Sequence, residues 1–339
     1  MSQRKKLYLE VVRVIAVLLV IFNHTDGFVY YTVQGNIVTH LYSLILAILC
    51  RMAVPLFFMV SGALLLGKEE SLSELFRKRI ARMLIVLAAV SVFYYLFDII
   101  IGRIASPGAG DFISRLLANE IRDSFWFLYA YIGVLLLLPF FRKVVPFGNK
   151  KLVIYLIGLR VLTDLAVPLL NLGMGIAVSF DFGFVGDYYY YMLLGYYFDR
   201  EEIEGLRKGK SILVLALLVV LSGMFTCGIK AFSGTYHAVA LDFFIFLMAP
   251  VTFGMIKSWL GGTTKSGKAE KWILAFGSCV FGIYLFDNFL RWQLLPVYLF
   301  LSEKTMGIFA NSVYVLLTFL GGFIYTWILK RIPVIRRYL

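Results

Sequence analysis

The chain has 339 residues, of which 61% are hydrophobic and only 16% charged, and its formal net charge is +13. A soluble domain needs far more polar surface to cover its core, so composition excludes an ordinary water-soluble globule. The basic surplus lies between apolar runs and not along them, which argues membrane topology and against nucleic acid as a partner.

Runs of about 17–25 apolar residues read as membrane spans. Ten occur, at 8–28, 41–66, 82–102, 124–141, 152–170, 187–198, 211–229, 238–257, 272–290 and 308–329. The expected fold is an all-α integral membrane protein of about ten transmembrane helices, a single multi-pass domain over residues 1–339. The first run carries Glu10 and Arg13 and is followed by no small-residue cleavage site, so it is expected to be a span and not a cleaved signal peptide. The sixth, "DYYYYMLLGYYF", is short and is expected to start a few residues earlier. Alternating the loops between two sides places 24 of the 33 lysines and arginines on one side and six on the other. That bias predicts cytoplasmic termini. Cys50, Cys227 and Cys279 have neither disulfide-framework nor metal spacing.

Ionisable residues inside spans are costly and carry functional hypotheses. In the first span Arg13 and His24 are eleven residues apart, 20° past three full turns, so they share one helix face about 16 Å apart. Glu10 is placed to pair with Arg13. A snorkelling arginine with a structural histidine is the plainer alternative. The second span places Arg51 near mid-membrane, Pro55 at an expected kink that frees a backbone carbonyl, and Ser61 toward the inner end. Arg51 suits either an oxyanion or an ion pair with an acid on a neighbouring helix. Arg79 and Arg82, three apart at an inner helix start, suit a phosphate, although ordinary positive-inside charge explains them too.

Further along, Asp98, Asp164, Asp242 and Asp287 lie toward the outer span ends, as does Asp26. Asp26 is about 200° round the helix from His24, so Asp98, Asp242 or Asp287 is the better carboxylate to orient that ring. Trp126, Tyr129 and Tyr188 suit a carbohydrate's apolar face, and the carboxylates of Asp98, Asp242 and Asp287 suit its hydroxyls, whereas the tyrosines 188–191 read more simply as an interfacial belt. Arg160 and Asp164 read as an intrahelical pair. His40, His237 and His24 have no ligand spacing, and no metal site is expected.

Arg13-x10-His24, "VPLFFMVSGALL", Arg79-x-x-Arg82, "FWFLYAYIGVLLLLPFF" and "YMLLGYYF" follow, in order, the motifs of the acyltransferase family 3 membrane proteins, which the chain resembles over essentially its whole length. The resemblance implies transfer of an acyl group, usually acetyl, from cytoplasmic acetyl-CoA or another acyl-CoA to a hydroxyl. The acceptor it implies is an envelope glycan or lipid-linked sugar, reached in the bacterial cytoplasmic membrane. It further implies that His24 is the essential catalytic residue, that Arg13 belongs to the same signature, and that Arg79 and Arg82 bind the donor. Many members carry a ninth-span histidine, where this chain has Asp287 in "GIYLFDNFL". His24 is expected to act as proton acceptor or as acyl carrier. Homo-oligomers are compatible with the sequence. The rival reading is a transporter or flippase of a lipid-linked glycan using the same polar seam, against which stands the lack of a detectable internal repeat.

Overall fold

In the computed structural model, the residues described are 7–25, 36–144, 150–178, 187–201, 209–260 and 267–339, and among them every regular element is helical. The helices are α1 Leu7–His24, α2 Ile37–Cys50, α3 Ala53–Leu65, α4 Leu72–Leu75, α5 Ala81–Ile100, α6 Ala109–Leu117 and α7 Trp126–Val144. They continue with α8 Lys150–Arg160, α9 Asp187–Arg200, α10 Lys210–Ser233, α11 Ile245–Leu260, α12 Lys268–Lys304, α13 Gly307–Leu329 and α14 Pro333–Arg336. Among the described residues nine helical stretches are long and apolar enough to cross a membrane. They match nine of the ten expected spans. The remaining one, the sixth, is α9, which has 14 residues, about 21 Å of helix against a hydrocarbon core of about 30 Å. The earlier start expected for it falls on residues 179–186, outside those described.

Three boundaries differ from expectation for local reasons. The second span is two helices, α2 and α3, parted at Arg51 and Met52, whose N–H groups donate to Ile48 and Leu49 in a tightened turn. Pro55 lacks the N–H that would bond the Arg51 carbonyl, so the chain breaks one turn ahead of it. The third span starts earlier, at Leu72. There the Ser71 hydroxyl accepts the Glu74 N–H at 3.2 Å and the Glu74 carboxylate accepts the Ser71 N–H at 3.3 Å. Arg79 and Arg82 therefore lie two to three turns inside, Arg79 in the π-helical turn Phe76–Ile80 that joins α4 to α5 and Arg82 in the first turn of α5. The ninth span, expected to end at 290, runs on through Pro296 to Lys304 as one 37-residue helix, about 55 Å long.

The chain divides into two compact units, one of Met1–Leu65, Phe147–Arg337 and Leu339, the other of Leu66–Pro146 and Tyr338. In the first, α1 is central and packs on α2, α3, α11, α12 and α13. In lipid such association rests on close packing and interhelical hydrogen bonds, which favours small residues at crossings. α3 and α9 meet this way. A Cβ on Gly62 would overlap the Met192 carbonyl, and a Cβ on Gly195 would overlap that of Met59. This reciprocal approach buries Tyr189, Tyr190 and Tyr191. The Tyr190 hydroxyl donates to the Phe246 carbonyl at 2.9 Å, and the Tyr188 ring lies tilted against Phe58 with centroids 4.6 Å apart. The tyrosine run is a packing surface and not the expected interfacial belt, because the glycine contact brings α3 over it. Lys257 closes the end of α9, donating to the carbonyls of Phe198, Asp199 and Glu201 at 2.7–3.2 Å.

In the second unit Asp98 is held bidentately by Arg122 at 2.6 and 2.8 Å, and that guanidinium lies 4.5 Å from the Tyr94 ring centre. The Tyr95 hydroxyl donates to Asp111 at 2.8 Å and accepts the Gly108 N–H, fixing the start of the short α6.

The α3–α9 crossing yields a direct test. Gly195→Ala should destabilise the protein by about 1–3 kcal/mol, since the clash is with backbone that cannot swing aside. Gly228→Ala, where an added Cβ meets nothing within 4 Å, should be neutral or stabilising. Thermal unfolding in detergent distinguishes the two.

Candidate functional site

His24 is the last residue of α1. Its Nδ1 lies 2.6 Å from Oδ2 of Asp287 on α12, a carboxylate whose side chain is 1% exposed. A carboxylate only accepts, so Nδ1 carries the hydrogen in the neutral ring and Nε2 keeps its lone pair. Asp287 is thus the acid, of the three expected candidates, that faces the imidazole.

Arg291, one turn on in α12, completes the group. Its guanidinium donates to the backbone carbonyl of His24, and its Nε is 3.6 Å from Oδ2 of Asp287. The last carbonyls of a helix have no partner within it and favour a cation. One side chain therefore caps α1 and stands beside the carboxylate that holds the ring. Tyr314 on α13 donates to the Arg291 carbonyl. Sequence reasoning placed Arg291 in an outer loop because it ended the span at 290. The four-residue interval from Asp287 was the available signal.

The other expected residues of the first unit sit in separate pairs. Arg13 donates to Glu10 at 3.1 Å, as expected. Gly277 of α12 makes room for that carboxylate, which a Cβ there would strike. Since α1 is unbroken from Leu7 to His24, the interval of about 16 Å between Arg13 and His24 is rigid. Arg51 stands at the α2–α3 break, 3.5 Å from Asp242 in the 3₁₀ turn before α11. The acid anticipated for an Arg51 ion pair is therefore Asp242. Ser61 donates to the Phe57 carbonyl of its own helix at 2.9 Å. Arg160 and Asp164 pair within one helical run, as expected.

In the second unit Arg79 does not stand alone. Its Nε donates to both oxygens of Glu70, at 3.1 and 2.8 Å. Arg142 from the end of α7 donates to the same Glu70 at 3.1 Å. Arg82 donates to the Tyr338 carbonyl at 2.9 and 3.3 Å. Burial raises the pKa of Glu70, but hydrogen bonds from Arg79 and Arg142 more than offset this and hold it below the usual carboxylate range. Glu70 and Arg142 carried no sequence signal beyond the charge of their loops. Asp98 is engaged by Arg122. Tyr129 donates to the Leu116 carbonyl, and Trp126 presents a ring 40% exposed at the start of α7. His40 meets Tyr236 and His237 meets Ser233. No three metal-binding side chains come together among the described residues.

A family model described as an acyltransferase domain matches residues 6–331, nearly the whole chain. No curated protein matches the chain, and no solved structure matches it.

The shared contacts of Asp287 and Arg291 predict strong non-additivity. The stabilities of Asp287→Asn, Arg291→Gln and the double variant, compared by thermal unfolding, should give a coupling energy of about 0.5–3 kcal/mol. A value within error of zero would mean that the two side chains act independently.

Proposed function

The chain belongs to the acyltransferase 3 family of membrane acyltransferases, and we propose that it moves an acyl group, acetyl in the first instance, from cytoplasmic acyl-CoA to a hydroxyl of an envelope glycan or lipid-linked sugar in the bacterial plasma membrane. The observation that carries this reading is the His24–Asp287 contact at 2.6 Å. It leaves Nε2 as a base in a largely dry setting.

In the proposed reaction Nε2 takes the acceptor's hydroxyl proton as that oxygen attacks the thioester carbonyl. The tetrahedral intermediate collapses with cleavage of the C–S bond, and the proton on Nε2 passes to the departing thiolate. Attack by Nε2 itself, forming an acyl-imidazole, is the covalent variant. Asp287 stabilises the imidazolium that forms in either course and keeps the ring turned, the role a buried carboxylate plays beside a catalytic histidine. Arg291 holds both partners. Arg51, only loosely tied at 3.5 Å, is the candidate for the thioester oxyanion.

Arg79 and Arg82 are assigned to the donor's phosphates, with Arg13 as a further cation on the side predicted to be cytoplasmic. The interval of about 16 Å from Arg13 to His24 is of the right order for a pantetheine arm. Trp126 and Tyr129 are assigned to the sugar. Asp242, whose side chain is 49% exposed, is the further candidate there for a sugar hydroxyl, and Asp98 a lesser one because Arg122 already grips its carboxylate.

The test is an acyl-CoA turnover assay on purified protein in detergent with a glycan acceptor. His24→Ala should remain folded and lose transfer. Asp287→Asn should slow it by about 10²–10⁴-fold. Undiminished turnover in His24→Ala would sink the assignment, and sugar movement across vesicles without CoA consumption would favour a carrier.

A further inference from the structure

Two guanidinium groups share one carboxylate in the second unit, and a third stands one turn away. Arg79 and Arg142 arrive from different helical segments and share the carboxylate of Glu70, Arg79 through Nε to both oxygens and Arg142 through Nη2 to Oε2. Arg82, one turn beyond Arg79, is met by a backbone carbonyl. The arrangement is tight, with side-chain exposures of 9% for Glu70, 11% for Arg142 and 25% for Arg79. Glu70 comes from the short connection between α3 and α4, not from a helix. The π-helical turn Phe76–Ile80 carries Arg79, and widened turns of this kind commonly mark functional positions.

Two guanidinium groups converging on one anion is also how arginines grip a phosphate. A phosphomonoester brings three acceptor oxygens and up to two negative charges, where a carboxylate brings two oxygens and one charge. Glu70 stays ionised at neutral pH, since the two arginines hold its pKa down, so it competes for the forks as a full anion. Its tether in a connecting segment lets it withdraw without unwinding a helix.

We propose that Glu70 is an internal stand-in for a phosphate of the acyl donor, and that Arg142 is a third phosphate-binding arginine which Glu70 releases when the nucleotide arrives. The inference rests on the acyl-CoA reading above and extends it in two ways. It adds a binding residue from α7, and it makes donor affinity the difference between two anions' claims on one pair of arginines. Arginines left without an anion would repel one another, and Glu70 prevents this while the donor is away.

The test is free coenzyme A binding to the full-length protein in phosphatidylcholine nanodiscs, followed by calorimetry. Glu70→Gln should bind about ten-fold tighter than wild type and Arg142→Gln about ten-fold weaker, each the scale of one charge-assisted hydrogen bond. Wild-type binding with an unmoved Kd in both variants would overturn the role of Glu70 and Arg142 while leaving the donor reading intact. Absence of coenzyme A binding in all three proteins would overturn the donor reading and this inference with it. Should Glu70→Gln fail to fold, Arg142→Gln decides alone, and an unchanged Kd there is fatal. Phosphatidylglycerol added to the discs should leave the Kd within about two-fold. Loss of coenzyme A binding in its presence would assign the arginines to lipid headgroup phosphates instead.

Discussion

Asp287 is a carboxylate with almost no access to water, and a charge in that position is tolerated only where cations or donors surround it. Meeting that demand organises this part of the protein. His24 turns its Nδ1 toward Asp287, and Arg291 reaches from the next turn to stand beside it while bonding the end of α1. Pairing of opposite charges recurs at other positions among the described residues, at Glu10 and Arg13, Arg51 and Asp242, Arg160 and Asp164, and Asp98 and Arg122. Only the Asp287 group contains an imidazole, and only there does the pairing leave a ring nitrogen over for proton transfer.

The apolar runs were legible in the sequence because length and hydropathy carry that information directly. The Arg13–Glu10 and Arg160–Asp164 pairs were legible because helical periodicity alone brings such residues together. Asp287 was visible only as one of three acids, since choosing among them needs the packing of α12 on α1. Arg291 was hidden by a boundary. A charged residue after a run of apolar ones reads as the start of a loop, and nothing local reveals that the helix continues to Lys304. Glu70 and Arg142 were hidden by distance, being 72 residues apart in the chain.

The tyrosine run illustrates the converse error. Tyrosines near a span end ordinarily sit at the membrane interface, but here two glycines on facing helices remove the side chains that would have kept α3 and α9 apart. Once the backbones touch, the rings have nowhere to go except between helices, and their hydroxyls must find carbonyls, as Tyr190 does with Phe246. A small residue therefore decided the fate of large ones several positions away, a coupling that composition-based reasoning does not see.

α1 and α12 are both unbroken rods, and they are fastened at two heights: Gly277 against Glu10 low down, Asp287 against His24 higher up. Two rungs between two stiff rails make a fixed gauge. The interval from the Arg13 guanidinium to the His24 imidazole is set by the pitch of α1 itself. Under the proposed reaction, a thioester carried on a shorter arm would fail to bridge the two.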